Sequence, residues 1–125
     1  MNRPSSDYAP ANSTDVVLHL AALTRELSQA TAALVAADRD ATLKRHAADL
    51  AEARAYLAAG GTIPERERIA ADTTEQAEHD ARLAETLARG LKAQIRALEI
   101  RIDVGRTYGA TVRAELKTLA YSEAP

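Results

Sequence analysis

The sequence predicts an all-α protein built as a long antiparallel, coiled-coil-like helical hairpin. Alanine is the most frequent residue, while Phe, Trp and Cys are absent, a composition typical of long helices rather than of a compact α/β domain. A glycine pair, Gly60–Gly61, separates two long stretches that have the character of helices. Apolar residues recur along both stretches at alternating steps of three and four, the heptad spacing of helices that pack along their length.

The glycine pair marks where the first helix should end, because glycine commonly terminates helices. Thr62, Pro64 and Glu65 follow with the spacing of a helix start, namely an N-cap residue, an early proline and a capping-box glutamate. The N-terminal residues are rich in Pro, Ser and Asn, which predicts a flexible arm. The predicted boundaries are an arm over 1–12 and a hairpin over 13–121, with a helix over 13–59, a turn over 60–62 and a helix over 63–120.

Folding the chain back at this turn places residue i roughly opposite residue 122 − i. The expected pairs across the seam are Leu34 with Leu87, Leu27 with Ile95, Leu23 with Leu98, and Leu20 with Ile102.

Leu43, Leu50 and Leu57 also repeat every seven residues, but they lie about half a turn away from this seam. We therefore expect the hairpin to splay or change partner near Asp38–Asp40, which leaves the neighbouring polar residues in water. The alternative is a buried polar site. The polar residues concerned are Thr42, His46, Thr73, Gln76 and Asp80.

Gly105 and Gly109 lie on the seam of the second helix, inside the stretch RIDVGRTYGATVRAEL. Glycine in a helix interior costs about 1 kcal/mol relative to alanine, so two of them on the seam indicate a close approach of backbones. The competing interpretation is that the helix breaks there and folds back as a short third helix. We expect the helix to continue.

Continuation makes the second helix longer than the first helix can cover. Val112, Leu116 and Leu119 then lie opposite the predicted arm, and a second apolar stripe lies on another face of the same region. The sequence therefore predicts a protein-interaction surface made of Ile100, Val104, Gly105, Tyr108, Gly109, Val112, Leu116 and Leu119. We expect it to bind a second copy, as a dimer that forms a four-helix bundle, or an unidentified partner protein.

No residue pattern points to catalysis. The sequence lacks a glycine-rich phosphate loop after a strand and a nucleophile elbow. Folding the chain brings His46 towards His79, Glu75 and Asp80, but the Glu-x-x-His repeat of di-iron bundles is absent because Gln76 occupies the glutamate position. We expect no enzyme activity, no cofactor and no metal site, with the histidines exposed on helices.

Half of the Lys and Arg residues lie from Arg82 onward, in about the last third of the chain. A helix that follows nucleic-acid phosphates has this pattern, and so does an ordinary solvated face whose arginine stems cover apolar surface. The net charge of −2 and the low aromatic content count against the first interpretation. The candidate nucleic-acid contacts are Arg89, Lys92, Arg96, Arg101, Arg106, Arg113 and Lys117.

The chain shows no signs of export or membrane insertion. The first residues, MNRPSSDYAP, lack the apolar core of a secretory signal, and no apolar run approaches the length needed to cross a bilayer. The absence of cysteine fits a reducing compartment. We therefore expect a cytoplasmic protein.

The stretch RALEIRIDVGRTYGATVRAEL resembles the C-terminal segment of small helical proteins encoded by bacteriophages and prophages. In that group an Ile-Asp-Val-Gly-Arg-Ser/Thr core, matched here by Ile102–Thr107, precedes an amphipathic Leu/Arg/Glu turn. EARAYLAAGGTIPERERIA resembles their mid-chain helix–turn–helix, while Tyr108–Gly109 departs from the apolar pair usual in the group. The resemblance covers about half the chain. It implies an accessory protein of phage DNA recombination or replication, without an activity or site residues.

The residues and the resemblance together predict a non-enzymatic helical interaction or adaptor protein, encoded by a phage or prophage and acting in the host cytoplasm. The alternative is an accessory nucleic-acid-binding factor that uses the arginine-rich last third. An inhibitor of a host protein would have the same sequence features as such an adaptor protein.

Overall fold

The computed structural model describes residues 13–123, which contain three helices and no strand. Helix α1 is Ser13–Ala58, α2 is Ile63–Thr73 and α3 is Glu75–Glu123. The predicted all-α class, with long helices paired as a hairpin, is confirmed. The predicted arm lies outside the described residues. The chain divides into two compact units: unit 1 joins the described residues up to Ala30 to those from Gln94 onward, and unit 2 is Thr31–Ala93.

The turn between α1 and α2 depends on a glycine and a threonine. Gly61 has a φ of 101°, a conformation that glycine adopts without steric penalty. Thr62 is the N-cap of α2, because its hydroxyl oxygen accepts a hydrogen bond from the backbone N–H of Glu65 at 3.4 Å. Pro64 lies in the first turn of α2. These are the roles that the sequence predicts for Thr62 and Pro64.

The expected second helix over 63–120 is divided into α2 and α3 at Thr74, so the prediction of one uninterrupted helix is wrong. The hydroxyls of Thr73 and Thr74 donate to the carbonyls of Ile69 and Ala70, at 2.7 Å and 2.8 Å. Threonines that bond back in this way bend helices. Two in succession, the second buried and with φ −107° and ψ 12°, mark the interruption.

Unit 1 is held by a small apolar cluster between α1 and α3. Its buried members are Leu23, Ala30, Leu98 and Ile102, with Leu20, Leu27 and Ile95 packed against them. All but one of the leucine–isoleucine and leucine–leucine pairs expected from the sequence therefore share one cluster. The exception, Leu34 with Leu87, lies in unit 2.

Helix α3 continues through both seam glycines, as expected. A Cβ atom at Gly105 would lie 2.8 Å from Leu20 Cδ2, and one at Gly109 would lie 2.9 Å from Val16 Cγ1. The two contacts run in opposite directions along α1 and α3, so these segments are antiparallel. The missing side chains make room for α1.

These contacts agree with the expected alignment to within one helical turn. The residue numbers of each contacting pair add up to 125, against the expected 122, and a side chain packed between two helices touches positions three or four residues apart. Large side chains of α1 lie against positions of α3 that have no side chain, so both backbones approach closely there.

Unit 2 has an alanine seam instead of a leucine seam. The buried residues of these two helices are Ala37, Ala41 and Ala48 on α1, and Ala81, Ala84 and Ala88 on α3, and α2 adds Ala70. Leu87 is 59% exposed, so its expected pairing with Leu34 is wrong. The expected splaying near Asp38–Asp40 is also wrong, because the alanines on both sides of this segment are buried. The polar residues expected in water are exposed: Thr42, His46, Thr73, Gln76 and Asp80.

We expect Gly109→Ala to lower the free energy of unfolding by about 1 kcal/mol. Alanine gains about 1 kcal/mol in helix propensity, but overpacking costs about 1–3 kcal/mol, and the β-branched Val16 has little rotamer freedom to move aside. Urea unfolding followed by circular dichroism measures the difference. Gly60→Ala is the control, since nothing lies within 4 Å of the added methyl group. A Gly109→Ala chain more stable than the unsubstituted one would contradict the close contact.

Candidate functional site

Gly105 and Gly109 do not belong to an exposed interaction surface. The sequence assigned both glycines to a surface for another molecule, but Leu20 and Val16 of the same chain occupy the space in front of them. Their role is to bring α1 and α3 of unit 1 together. This corrects the predicted site at two of its eight positions.

The six remaining predicted residues lie on α3 in unit 1, and we call them the C-terminal apolar surface: Ile100, Val104, Tyr108, Val112, Leu116 and Leu119. Four of them are more than half exposed, with fractions of 58% for Ile100, 63% for Val104, 51% for Leu116 and 57% for Leu119. Tyr108 and Val112 are half-buried.

The C-terminal apolar surface winds around α3. Its members from Ile100 to Leu116 are spaced by four residues, and each step of four advances about 40° around a helix axis. Rows spaced by four are the ridges that fit the grooves of a second helix crossing at about −50°. The spacing therefore favours a crossed partner helix over one that runs alongside.

The seven candidate nucleic-acid contacts are all exposed: Arg89, Lys92, Arg96, Arg101, Arg106, Arg113 and Lys117. Two of them lie near acidic side chains in exposed, weak pairs. Lys92 lies 3.8 Å from an Asp38 carboxylate oxygen in unit 2, and Arg106 lies 3.9 Å from Asp103 in unit 1. Arg89 donates a hydrogen bond to the Thr86 hydroxyl at 3.0 Å. Within the described part of the chain, Arg96, Arg113 and Lys117 form neither an ion pair nor a side-chain hydrogen bond.

A polar cluster in unit 2 joins α1 to α3, and the sequence interpretation missed it. Arg45 donates two hydrogen bonds to the Glu85 carboxylate, at 2.8 Å and 3.2 Å, and one to Glu78 at 2.6 Å. Asp49 lies 3.6 Å from the same guanidinium. Helical spacing pairs Glu85 with Arg89 within α3. Folding the chain at its glycine turn also places Arg45 opposite this region, so the sequence contained an indication of the cluster.

The hydrogen bonds of this cluster shift the pKa values of its members. The hydrogen bonds from Arg45 lower the pKa of the Glu78 and Glu85 carboxyls, because the guanidinium stabilises the charged carboxylate. Desolvation opposes this shift without reversing it. The same hydrogen bonds, with Glu85 the larger contributor, raise the pKa of Arg45. All three groups are therefore charged at neutral pH.

An open cavity of about 880 Å³ adjoins this cluster. Arg45 and Arg82 line it together with His79 and several carboxylates. Gln76 donates to Asp80 at 2.9 Å, and among residues 13–123 no three His, Asp or Glu side chains are placed to hold a metal ion. Among the described side chains that line this cavity, Arg45 and Glu78 form the ion pair that joins α1 to α3.

A search among protein-family models, curated proteins and solved structures finds no match for this chain. None of the described helices has an apolar stretch that would span a bilayer.

We expect Arg45→Met to lower the melting temperature at neutral pH, with a deficit that shrinks in acid. Lowered pKa values mean that the folded chain binds fewer protons than the unfolded chain near the ordinary glutamate value, about 4.3. The stabilisation from Glu78 and Glu85 is therefore complete above that value and is lost as the pH falls through the lowered pKa values. Thermal unfolding in a series of buffers measures this.

Lys44→Met is the matched control, because it removes only a pair with Asp40 within α1. At neutral pH, Lys44→Met should lower the melting temperature less than Arg45→Met does. An Arg45→Met deficit that stays constant from neutral to strongly acidic pH would show that the two glutamate pairs do not stabilise the fold.

Proposed function

We propose that this chain is a non-enzymatic helical interaction protein that presents the C-terminal apolar surface to a second copy or to a partner protein. The observation that supports this most strongly is the exposure of Leu116, at 51%. In unit 1, the contact of Val16 with Gly109 puts the start of α1 about level with Val112. Within residues 13–123, α1 of unit 1 therefore does not reach Leu116.

The energetic case rests on the size of these side chains. Burying a leucine or isoleucine fully is worth about 1.5–3 kcal/mol, and contiguous apolar groups on a surface mark interaction sites, whereas single ones do not. The C-terminal apolar surface offers several such groups in one ridge of α3. A second helix that crosses this ridge would bury neighbouring members of it together.

A second copy is the partner we favour, with a dimer as the simplest assembly. On the resemblance of Ile102–Thr107 to proteins of bacteriophages and prophages, we further propose that the chain is a phage- or prophage-encoded adaptor that acts in the host cytoplasm. An inhibitor of a host protein would use the same surface.

We expect the chain to form dimers, and Leu116→Asp with Leu119→Asp to shift it towards the monomer while its helicity is retained. Aspartate introduces a charge that an apolar contact would have to desolvate. Light scattering over a concentration series measures the mass, and circular dichroism measures the helicity. Leu43→Asp with Leu57→Asp is the control, since these leucines are also exposed but lie in unit 2. An unsubstituted chain that stays monomeric at every concentration would contradict self-association.

Nucleic-acid binding is the second candidate, supported by three exposed cations without ion pairs, Arg96, Arg113 and Lys117. If the chain binds nucleic acid, it should retard DNA or RNA in a gel-shift assay at low salt, where the electrostatic contribution to binding is largest. Replacing the three cations by glutamine should then weaken retention more than replacing three exposed arginines of α1. Those control residues are Arg25, Arg39 and Arg54. The interaction-protein proposal expects no retention by the unsubstituted chain.

A further inference from the structure

A groove of about 570 Å³ between α1 and α2 of unit 2 has an apolar floor. The apolar side chains that line it are those of Ala53, Tyr56 and Leu57 on α1 and of Ala70 on α2. Ala70 is buried and Tyr56 is half-buried, whereas Leu57 is 76% exposed. The groove therefore leaves a large apolar side chain in contact with water at the end of α1.

Three carboxylates line the same groove, those of Asp49 and Glu52 on α1 and of Glu67 on α2. Asp49 lies 3.6 Å from the Arg45 guanidinium. Glu52 and Glu67 are exposed, and neither forms an ion pair or a side-chain hydrogen bond with another described residue. Two helices therefore bring negative charge to the rim of one groove, and the described part of the chain leaves it unpaired.

Arg66 precedes Glu67 in the sequence, but its guanidinium is engaged at the turn between α1 and α2. Its Nε donates to the Gly61 carbonyl at 3.2 Å, and its Cζ lies 6.0 Å from the centroid of the Tyr56 ring. Glu52 lies four residues before Tyr56, about 6 Å farther along α1. Among the described residues that line the groove, none is a lysine or an arginine.

We propose that this groove binds a basic amphipathic helix of a partner protein, with apolar side chains on the floor and Lys or Arg side chains paired with Glu52 and Glu67. Charge complementarity selects this occupant. Nucleic acid or an acidic segment would place like charge against the rim, and a purely apolar helix would desolvate two carboxylates without a partner. Lys and Arg side chains suit both parts of the groove, because their aliphatic stems cover apolar area while their charged ends reach the rim.

The size of the groove sets the size of the contact. Helix α2 has 11 residues, which corresponds to about 16 Å of helix. A partner helix that lies along the groove therefore makes contact over about three turns, in the helix-in-groove mode of peptide recognition. Because this contact is small and its charges are exposed, we expect weak binding that depends on salt.

This inference does not rest on the proposed function, because the groove lies in unit 2 and the C-terminal apolar surface lies in unit 1. A second copy is the poorer occupant. In its arginine-rich last third the cations alternate with Glu99, Asp103 and Glu115, which would bring like charge to the rim.

The probe is a fluorescein-labelled helical peptide of leucine and lysine, about 14 residues or four turns long, with its leucines on one face and its lysines on the other. Fluorescence anisotropy with the full chain at low salt should show saturable binding that weakens as salt is added. A peptide with glutamate in place of every lysine should not bind, and neither should one with serine in place of every leucine. Failure of the leucine–lysine peptide to bind, or equal binding of the glutamate peptide, would overturn the inference.

Replacing the two unpaired carboxylates tests the rim. Glu52→Gln with Glu67→Gln should raise the dissociation constant of the leucine–lysine peptide about tenfold at low salt. The matched control is Glu26→Gln with Glu99→Gln, which removes the same charge from exposed glutamates of unit 1 and should leave the constant unchanged. All four positions are exposed, so circular dichroism should show unchanged helicity. Equal weakening by both pairs would show that the peptide responds only to net charge, and would overturn the inference.

The floor has its own matched pair of variants. Leu57→Gln should weaken binding of the same peptide, because it removes the exposed apolar side chain of the groove. Leu43→Gln, which changes another exposed leucine of α1 in unit 2, should not. Equal affinities for the two variants would contradict an apolar contact in the groove.

Two further measurements separate this groove from association of the chain with itself. Sedimentation equilibrium of the Glu52→Gln, Glu67→Gln chain should give the mass of the unsubstituted chain at every concentration. Selective loss of self-association in this variant would assign the groove to a second copy and overturn the inference. The chain with Leu116→Asp and Leu119→Asp should bind the peptide unchanged, and loss of binding there would place the peptide on the C-terminal apolar surface instead.

Discussion

The closest contacts between α1 and α3 are made at residues with small side chains or none, alongside the leucine–isoleucine cluster of unit 1. In unit 1, Leu20 and Val16 pack against Gly105 and Gly109, and in unit 2 the buried positions of both helices are alanine. Close approach of this kind gains dispersion contacts along the backbones, but each alanine buries far less apolar area than a leucine would. The chain therefore closes its seam without using most of its large apolar side chains.

Two consequences follow for the rest of the molecule. The unused side chains, such as Leu43 and Leu87, lie on the surface, which is why exposed apolar faces recur in both units. An alanine seam also has few features that distinguish one register from the next. In unit 2, directional hydrogen bonds from Arg45 to Glu78 and Glu85 provide that distinction, since a guanidinium that binds a carboxylate with two nitrogens does so in one geometry.

Local rules predicted the helical class, the glycine turn and the N-cap, because each depends on a few adjacent residues. The same rules did not find the interruption at Thr73–Thr74, since single threonines elsewhere bond back to the helix without breaking it. On α1 the heptad spacing found the buried positions Ala37 and Ala41 of unit 2 and left Leu43 outside the seam. On α3 it placed Leu87 on the seam, where Ala84 and Ala88 are buried instead, because only the packing partner decides which of two neighbouring stripes is covered. Helical spacing did not reveal the Arg45 cluster, because it already offers Glu85 an ion-pair partner, Arg89, within the same helix.

The register of the small-residue seam is tested most directly by engineered disulfides in unit 1 of a chain without native cysteine. Leu20→Cys with Gly105→Cys should oxidise readily to an intramolecular disulfide in dilute solution, because the Leu20 side chain contacts the Cβ position of residue 105. Leu20→Cys with Leu98→Cys, shifted by one heptad or about 10 Å along the helix, should oxidise far more slowly. Faster cross-linking of the second pair would show that Leu20 does not lie against Gly105, and would contradict the close-packed seam.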